Sequence, residues 1–311
     1  MSIIPTAAEI AAVKGRGFLR DKTTDDCFNA RVITVNGKIT AEKCIAIAEA
    51  ARRFGSGEIA FTTRQTVEVQ KIPYENIAPF CAFLAEFGLE TGGTGPKVRP
   101  VVSCKGTTCV FGLIDTFALS EAIHHRFYKG YRGFVLPHKF KIAVGGCPNN
   151  CVKPDLNDIG IIGQRVPLYA RDKCRSCKVC QLEKSCPVGA VKLVNGVLLH
   201  DREQCNNCGR CAGKCPFGVS EQTDNGYAVY IGGRWGKQAA RGQKIDFLFT
   251  DEAQVLDFIE KCILFFRENG EKGERFADTI ARIGFENVQT ALLTDDLLER
   301  KYEIIEKFSQ G

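Results

Sequence analysis

The sequence predicts an α+β fold interrupted by a small, cysteine-dense module. Three observations carry that reading. Residues 28–88 run strand–helix–strand–strand–helix in their apolar patterning. Residues 166–220 then hold eight of the 16 cysteines, at very short spacings. Beyond them the strand and helix patterns resume.

Each element has a local cause. Residues 28–39 alternate apolar and polar around Asn36-Gly37, which reads as a strand and turn. Thr40 caps a helix with Ile45, Ala48 and Arg52 on successive turns, stopped by Gly55. Glu58–Thr62 and Thr66–Lys71 read as a β-hairpin, and Tyr74–Phe87 as a second helix ended by Gly88. That order places helices on one face of an antiparallel sheet. The stretch TGGTGPK at 91–97 reads as a linker. Residues 98–165 form a second unit with a helix at about 110–127 and a strand at about 138–145. After the cysteine-rich insert, Tyr227–Gly232 reads as a strand and Asp251–Gly270 as a capped amphipathic helix. The expected division is therefore 1–97, 98–165, 166–220 as the insert, and 221–311.

Composition narrows the function classes. At 311 residues the chain can hold two or three modules with their own cores. Its net charge of +6 suits an anionic substrate or an acidic redox partner. The excess reads as too small and too dispersed for nucleic acid. No run of about 18 apolar residues occurs, so no membrane span is expected. The start, MSIIPTAAEIAAVKGRG, lacks a charged segment followed by an apolar one, and the expected location is cytoplasmic. Cysteines in such runs within a cytoplasmic chain point to metal rather than to disulfides.

The insert carries the most specific motif. Cys205, Cys208, Cys211 and Cys215-Pro216 form C-x2-C-x2-C-x3-C-P, the bacterial ferredoxin pattern, in which the fourth cysteine serves the other cluster. Cys174, Cys177, Cys180 and Cys186-Pro187 form a first run, with five residues before the last cysteine instead of three. One [4Fe–4S] cluster is thus expected on Cys174, Cys177, Cys180 and Cys215, and a second on Cys205, Cys208, Cys211 and Cys186. Paired structural zinc sites are the alternative, but zinc knuckles do not come as triple runs ending in Cys-Pro. A second cysteine set, Cys104 and Cys109 in SCKGTTC with Cys147 and Cys151 in GGCPNNC, can hold a third cluster. On spacing alone it reads equally well as buried thiol pairs or a zinc site.

A resemblance enters at these residues. GEIAFTTRQTVEVQKI, GPKVRPVVSCKGTTC and LPHKFKIAVGGCPNNC resemble the sirohaem and [4Fe–4S] region of the sirohaem-dependent sulfite and nitrite reductases. YIGGRWGK and GERFADTIARIG resemble that family's C-terminal part, and the layout is similar to its anaerobic, bacterial sulfite reductase branch. Where the family has C-x5-C, this chain has C-x4-C at Cys104 and Cys109. The resemblance implies a ferredoxin-like half-domain over 1–97, a sirohaem and [4Fe–4S] domain split between 98–165 and 221–311, and an inserted two-cluster ferredoxin.

The resemblance also implies roles. Cys151 matches the cysteine that bridges a third cluster, on Cys104, Cys109, Cys147 and Cys151, to the sirohaem iron. Arg31, Arg99, Lys139 and Lys141 match the cations that hold sulfite and relay protons, work suited to guanidinium forks and ammonium donors. Lys139 and Lys141 are two apart on an extended segment and so share a face. Arg64 matches a residue that pairs with the macrocycle, and Asn149 one near cluster and macrocycle. Lys105, Lys153 and Arg234 are further candidates on charge, and His138 is a candidate proton donor. Gly145 and Gly146 would admit a flat cofactor close to the backbone. Cys27, Cys44, Cys81 and Cys262 read as packing residues. No G-x-G-x-x-G follows a strand, so no nicotinamide or flavin site is expected, and electrons must come from a ferredoxin or a flavin/iron–sulfur reductase. The family's large enzymes contain two such repeats where this chain has one, so an oligomer is expected. The implied reaction is six-electron reduction of sulfite to sulfide. Nitrite reduction to ammonia and a purely electron-transferring subunit are the alternatives.

Overall fold

Alternating burial builds the first unit. The computed structural model describes residues 4–307, so the ends of both expected terminal segments lie outside the described residues. It opens with α1 (Ala7–Gly15), β1 (Phe18–Arg20) and β2 (Cys27–Val32). The last buries every second residue, Phe28, Ala30 and Val32. With β3 (Ile59–Phe61) and β4 (Val67–Pro73) these strands form an antiparallel sheet in the order β1-β2-β4-β3. Helices α2 (Ala41–Phe54) and α3 (Ile77–Glu86) join α1 in one core with that sheet. The Thr40 hydroxyl accepts the Lys43 N–H, capping α2. The face of α2 that packs is Ala46, Ile47, Ala50 and Ala51, whereas Ile45 is 69% exposed. α1 and β1 extend the expected order. Their signal is the capping box Thr6–Glu9, in which Thr6 Oγ1 accepts the Glu9 N–H. Segment 91–97 is not a free linker, because Thr91 bridges to Val32 and the Gly92 N–H donates to the Arg31 carbonyl at 3.0 Å.

The second unit is a mixed five-stranded sheet. β5 (Val102–Ser103), β6 (Ile142–Gly145) and β7 (Ile159–Pro167) run parallel. Past the insert, which carries α5 (Gln181–Ser185), β8 (Val191–Val194) and β9 (Val197–His200), β10 (Thr223–Ile231) and β11 (Gln243–Phe249) add antiparallel. Strand β6 starts later than expected, at Ile142. Lys139–Lys141 precede it in extended backbone, with Phe140 bridged to Val98 and fully buried between the two lysines. The expected 110–127 helix is α4 (Thr116–Ile123), continued as π-turns to Lys129. It begins at Asp115, whose carboxylate accepts the N–H groups of Phe117 and Ala118.

One face of this sheet packs on α4 and α6 (Glu252–Asn269). Asp251 caps α6 through the Gln254 N–H at 2.9 Å. Val255, Ile259, Cys262 and Phe266 are fully buried, but so is nearly everything from Phe258 to Phe266. α7 (Phe276–Ile283), α8 (Phe285–Leu293), α9 (Asp296–Glu299) and α10 (Lys301–Lys307) wrap its outer side. Its two buried charges are paired, Glu260 with Arg126 and Lys301, and Lys261 with Asp295 at 2.6 Å.

Pro167 and Thr223 are partners in the β7–β10 ladder, so the insert leaves and re-enters the sheet at one point. Its own core is small: Leu182, Val191, Leu198, Cys211 and Val219. Among the described residues no helix is long and apolar enough to cross a membrane.

Candidate redox and anion site

The site forms where the hairpin turn of the first unit meets the second sheet. Arg64 and Gln65 sit at the tip between β3 and β4, with Gln65 held at φ 58°. Gln65 clamps Ser103 from both sides, donating to its carbonyl at 2.6 Å and accepting its N–H at 2.8 Å. Arg64 donates at 2.9 Å to the carbonyls of Pro100 and Ile142 and to Asn157 Oδ1. The residue expected to pair with a macrocycle thus spends three of its five donors on tying the two units together. Burial pushes its guanidinium down to about 10, still charged at neutral pH.

Around that junction the cations gather. Arg31, on β2, pairs loosely with Glu68 at 3.4 Å. Arg99 donates to the Gly93 carbonyl and lies within electrostatic reach of Arg31 and Arg275. Lys139 feels Arg275 and Arg99. Lys141 feels Arg64, Arg275 and Lys139. All four candidate anion ligands therefore fall in one network with Arg64 and Arg275. Among the described residues, the buried carboxylate in it is Asp158, fully buried, which accepts Arg275 at 3.0 Å and the Lys141 N–H at 2.9 Å. Burial and these like charges push Lys141 down to about 8 and lower Lys139. The Nε atoms of Arg99 and Arg275 are buried without a partner. A surplus of half-buried cations with unfilled donors fits a ligand rich in carboxylates, and a small oxyanion beside it.

His138 lies beside Lys139 at the edge of this network. Its Nδ1 accepts the Lys139 N–H at 2.7 Å, and burial with the nearby cations pushes it below the usual imidazole value, so it is neutral at pH 7. Arg234 is engaged with Asp278 at 2.6 Å and with Gln238. Lys105 and Lys153 are exposed.

The first cysteine set lies in the loops that leave β5 and β6. Cys104 follows β5, and Cys147 and Cys151 follow β6. Cys147 has Cys104, Cys109 and Cys151 as electrostatic neighbours, so the four thiols share one locality. The Gly146 N–H donates to Cys104 Sγ at 3.0 Å. Gly145 and Gly146 are needed by the protein's own packing. A Cβ on Gly146 would stand 2.8 Å from Gly106 Cα, and one on Gly145 2.8 Å from Pro154. Asn149 is exposed, and its N–H faces Cys147. Asn157 joins this loop to the cations, because it accepts Arg64 and its Nδ2 donates at 3.1 Å to the carbonyl of Lys153, two residues past Cys151.

The insert holds two further quartets. Cys174, Cys177, Cys180 and Cys215 line one cavity of ≈ 160 Å³ with Leu182, Leu198 and Phe217. Cys205 and Cys211 each have Cys186 and Cys208 among their electrostatic neighbours. In each quartet three thiols come from one run and the fourth from the other. The Tyr169 hydroxyl donates to Cys211 Sγ at 3.1 Å. A cavity of ≈ 500 Å³ separates Cys205 and Asn207 from Pro148 and Asn150 of the first set's loop. Among the described residues no three His, Cys, Asp or Glu side chains converge as a single-ion site would require. A cube of four irons takes one thiolate per corner and spreads them more widely. Of the cysteines expected only to pack, Cys262 is fully buried, whereas Cys44 is exposed. The ≈ 420 Å³ cavity lined by Arg16, Cys81 and Tyr128 holds none of the four anion candidates.

Fold and site together define a protein that combines gathered thiol quartets with a cluster of partly buried cations. Residues 94–301 match the model of the nitrite and sulphite reductase 4Fe-4S domain, and residues 19–87 that of the nitrite/sulfite reductase ferredoxin-like half domain. The chain belongs to the nitrite and sulphite reductase family, whose members are oxidoreductases. It is 33% identical to the coenzyme F420-dependent sulfite reductase of Methanocaldococcus jannaschii, over 74% of this chain and 36% of that one. The chain thus spans about a third of that relative. It is 28% identical to one subunit of the anaerobic sulfite reductase of Salmonella typhimurium, covering 76% of this chain and 74% of that one. A crystal structure of dissimilatory sulfite reductase I shares the fold with a TM-score of 0.69 at 20% identity, covering 87% and 70%.

Sequence reasoning missed Arg275, Asp158 and Asn157. The first lies inside the GERFADT stretch that carried the resemblance, and its residue type was the available signal. The carboxylate that holds it comes from 117 positions away.

Proposed function

We propose that this chain reduces sulfite to sulfide at a sirohaem coupled to a cluster on Cys104, Cys109, Cys147 and Cys151, with electrons from a protein donor relayed through two clusters in segment 166–220. The observation that carries the reading is the Arg64–Asn157–Lys153 connection, which sets the cation network beside the Cys147–Cys151 loop. Bound there, the sirohaem and its cluster would supply the iron and the electrons for the reduction. Cys104, Cys109, Cys147 and Cys151 would hold the cluster, and Cys151 is the exposed one of the four. Arg31, Arg99, Lys139 and Lys141 would hold the dianion and offset its charge. Lys141, pushed to about 8, holds a proton at neutral pH that it can release without a large penalty. Asp158 keeps Arg275 and the Lys141 backbone fixed while that proton moves.

The deciding experiment is an optical spectrum of protein purified without oxygen from a sirohaem-competent host, with acid–acetone extraction. A red chlorin-like band extractable as sirohaem supports the proposal and leads to comparison of kcat/KM for sulfite and nitrite. Broad brown absorbance alone sinks it and leaves an electron carrier.

A further inference from the structure

The chain's positive charge is not dispersed. Residues 166–220 contain nine Lys and Arg against four Asp and Glu, a net +5 of the chain's +6. Arg175, Lys178 and Lys214 are exposed beside Cys174, Cys177 and Cys215. None of the three makes an ion pair among the described residues. Apolar side chains stand in the same place. Val179 is 63% exposed and Phe217 47%, and both line the cavity of that quartet. Val197 and Leu199, on the hairpin whose Leu198 lines the same cavity, are 56% and 48% exposed. Cys177 itself is exposed.

The second quartet faces the other way. Cys211 is buried. Cys208 bridges to Arg165 of β7, and the Arg165 N–H donates to the Asn207 carbonyl at 2.8 Å. Arg210 lies 5.7 Å over the ring of Phe111, two residues past Cys109. The insert thus has an inner quartet against the body and an outer quartet under a basic, apolar surface.

We propose that the surface formed by Arg175, Lys178, Val179, Lys214 and Phe217 is the docking site for a small acidic redox protein, which delivers electrons to the Cys174/Cys177/Cys180/Cys215 cluster. This rests on the two-cluster reading above and deepens it. Unpaired cations around an apolar centre are the complement of an acidic protein whose redox group lies near an apolar tip. In each transfer the reduced donor loses one electron and the outer cluster gains it, with no proton moved. Entry at the outer cluster leaves the inner one to pass the electron to the body.

The test uses the full chain and a reduced acidic two-cluster ferredoxin as probe, with cluster bleaching followed by stopped flow in the absence of sulfite. The second-order rate is expected to fall steeply with salt in the wild type. In R175E/K178E/K214E it is expected to fall at least tenfold at low salt and to lose most of its salt dependence. Reduction by a net-neutral sulfonated viologen should be unchanged in that variant. A rate that ignores both salt and the reversal overturns the proposal. Zero-length carbodiimide cross-linking of the unaltered chain covers the case of a variant that fails to assemble clusters. Links from the ferredoxin to Lys178 and Lys214 are expected, and links confined to lysines outside the insert overturn the proposal. Because no sulfite is present, failure here is separable from failure of the proposed catalysis.

Discussion

Lys141 shows how position converts an ordinary side chain into a candidate acid. Burial, Arg64, Arg275 and Lys139 lower it, and Asp158 opposes them. The protonated form is the donor, so activity that needs it is full below about 8 and is lost as pH rises through that value. The kcat/KM profile for sulfite is expected to carry this limb in the wild type and to lose it in Lys141→Gln, with a fall of about 10²-fold at pH 7. Comparing the two proteins removes sulfite's own titration, and an unchanged limb would exonerate Lys141. Tyr169 gives a second residue-scale prediction. Its hydroxyl donates to Cys211 Sγ, which favours the more negative, reduced state of a cluster held there. Tyr169→Phe should lower the midpoint potential of one cluster at unchanged iron content, read by EPR-monitored titration.

At the scale of elements, the β3–β4 turn acts as a plug. Arg64 satisfies two carbonyls and an amide oxygen on the second unit, and Gln65 satisfies both backbone groups of Ser103. Arg64→Ala leaves its three acceptors without their donor and is expected to cost at least about 3 kcal/mol, at roughly 1–3 kcal/mol per buried group left unpaired. A loss of unfolding free energy well under that value, measured by denaturant titration, would show that water replaces the guanidinium. The hairpin itself was legible from Glu58–Thr62 and Thr66–Lys71, because strand alternation is local. Its docking was not, since Arg64 reaches Asn157, 93 positions on. Helix α6 gives the same lesson. Asp251 and Gly270 mark its ends, but its burial on nearly all sides depends on α7 to α10, whose packing no single stripe announces.

At the scale of the whole molecule, the insert is the weak member. Its buried apolar core is five residues, too few to hold about 55 residues in place without staples or metal. Iron removal by chelation should therefore make 168–222 sensitive to protease while the two sheets keep their protection, with fragments mapped by mass spectrometry. Equal sensitivity along the chain would show that the insert does not depend on metal for its fold. Because the insert is tied to the sheet at Pro167/Thr223 and by the Arg165–Cys208 bridge, a cut within it should leave both fragments associated if the proposed clusters are loaded.

The sequence by itself determined what short-range physics controls. Period-two burial wrote β2, side-chain caps wrote the starts of α2 and α6, and cysteine spacing marked out the insert. It also offered Arg31, Arg99, Lys139 and Lys141 as an anion set, through likeness to a family. Tertiary structure alone decided that these cations share one network with Arg64 and Arg275 around Asp158, that Gly145 and Gly146 serve loop packing, and that one quartet faces solvent while the other faces the body. The physical reason is range. Caps and alternation act over a few residues, whereas Arg275 meets Asp158 across 117 positions and Arg64 meets Ile142 across 78, and only the folded chain brings such charges within reach of one another.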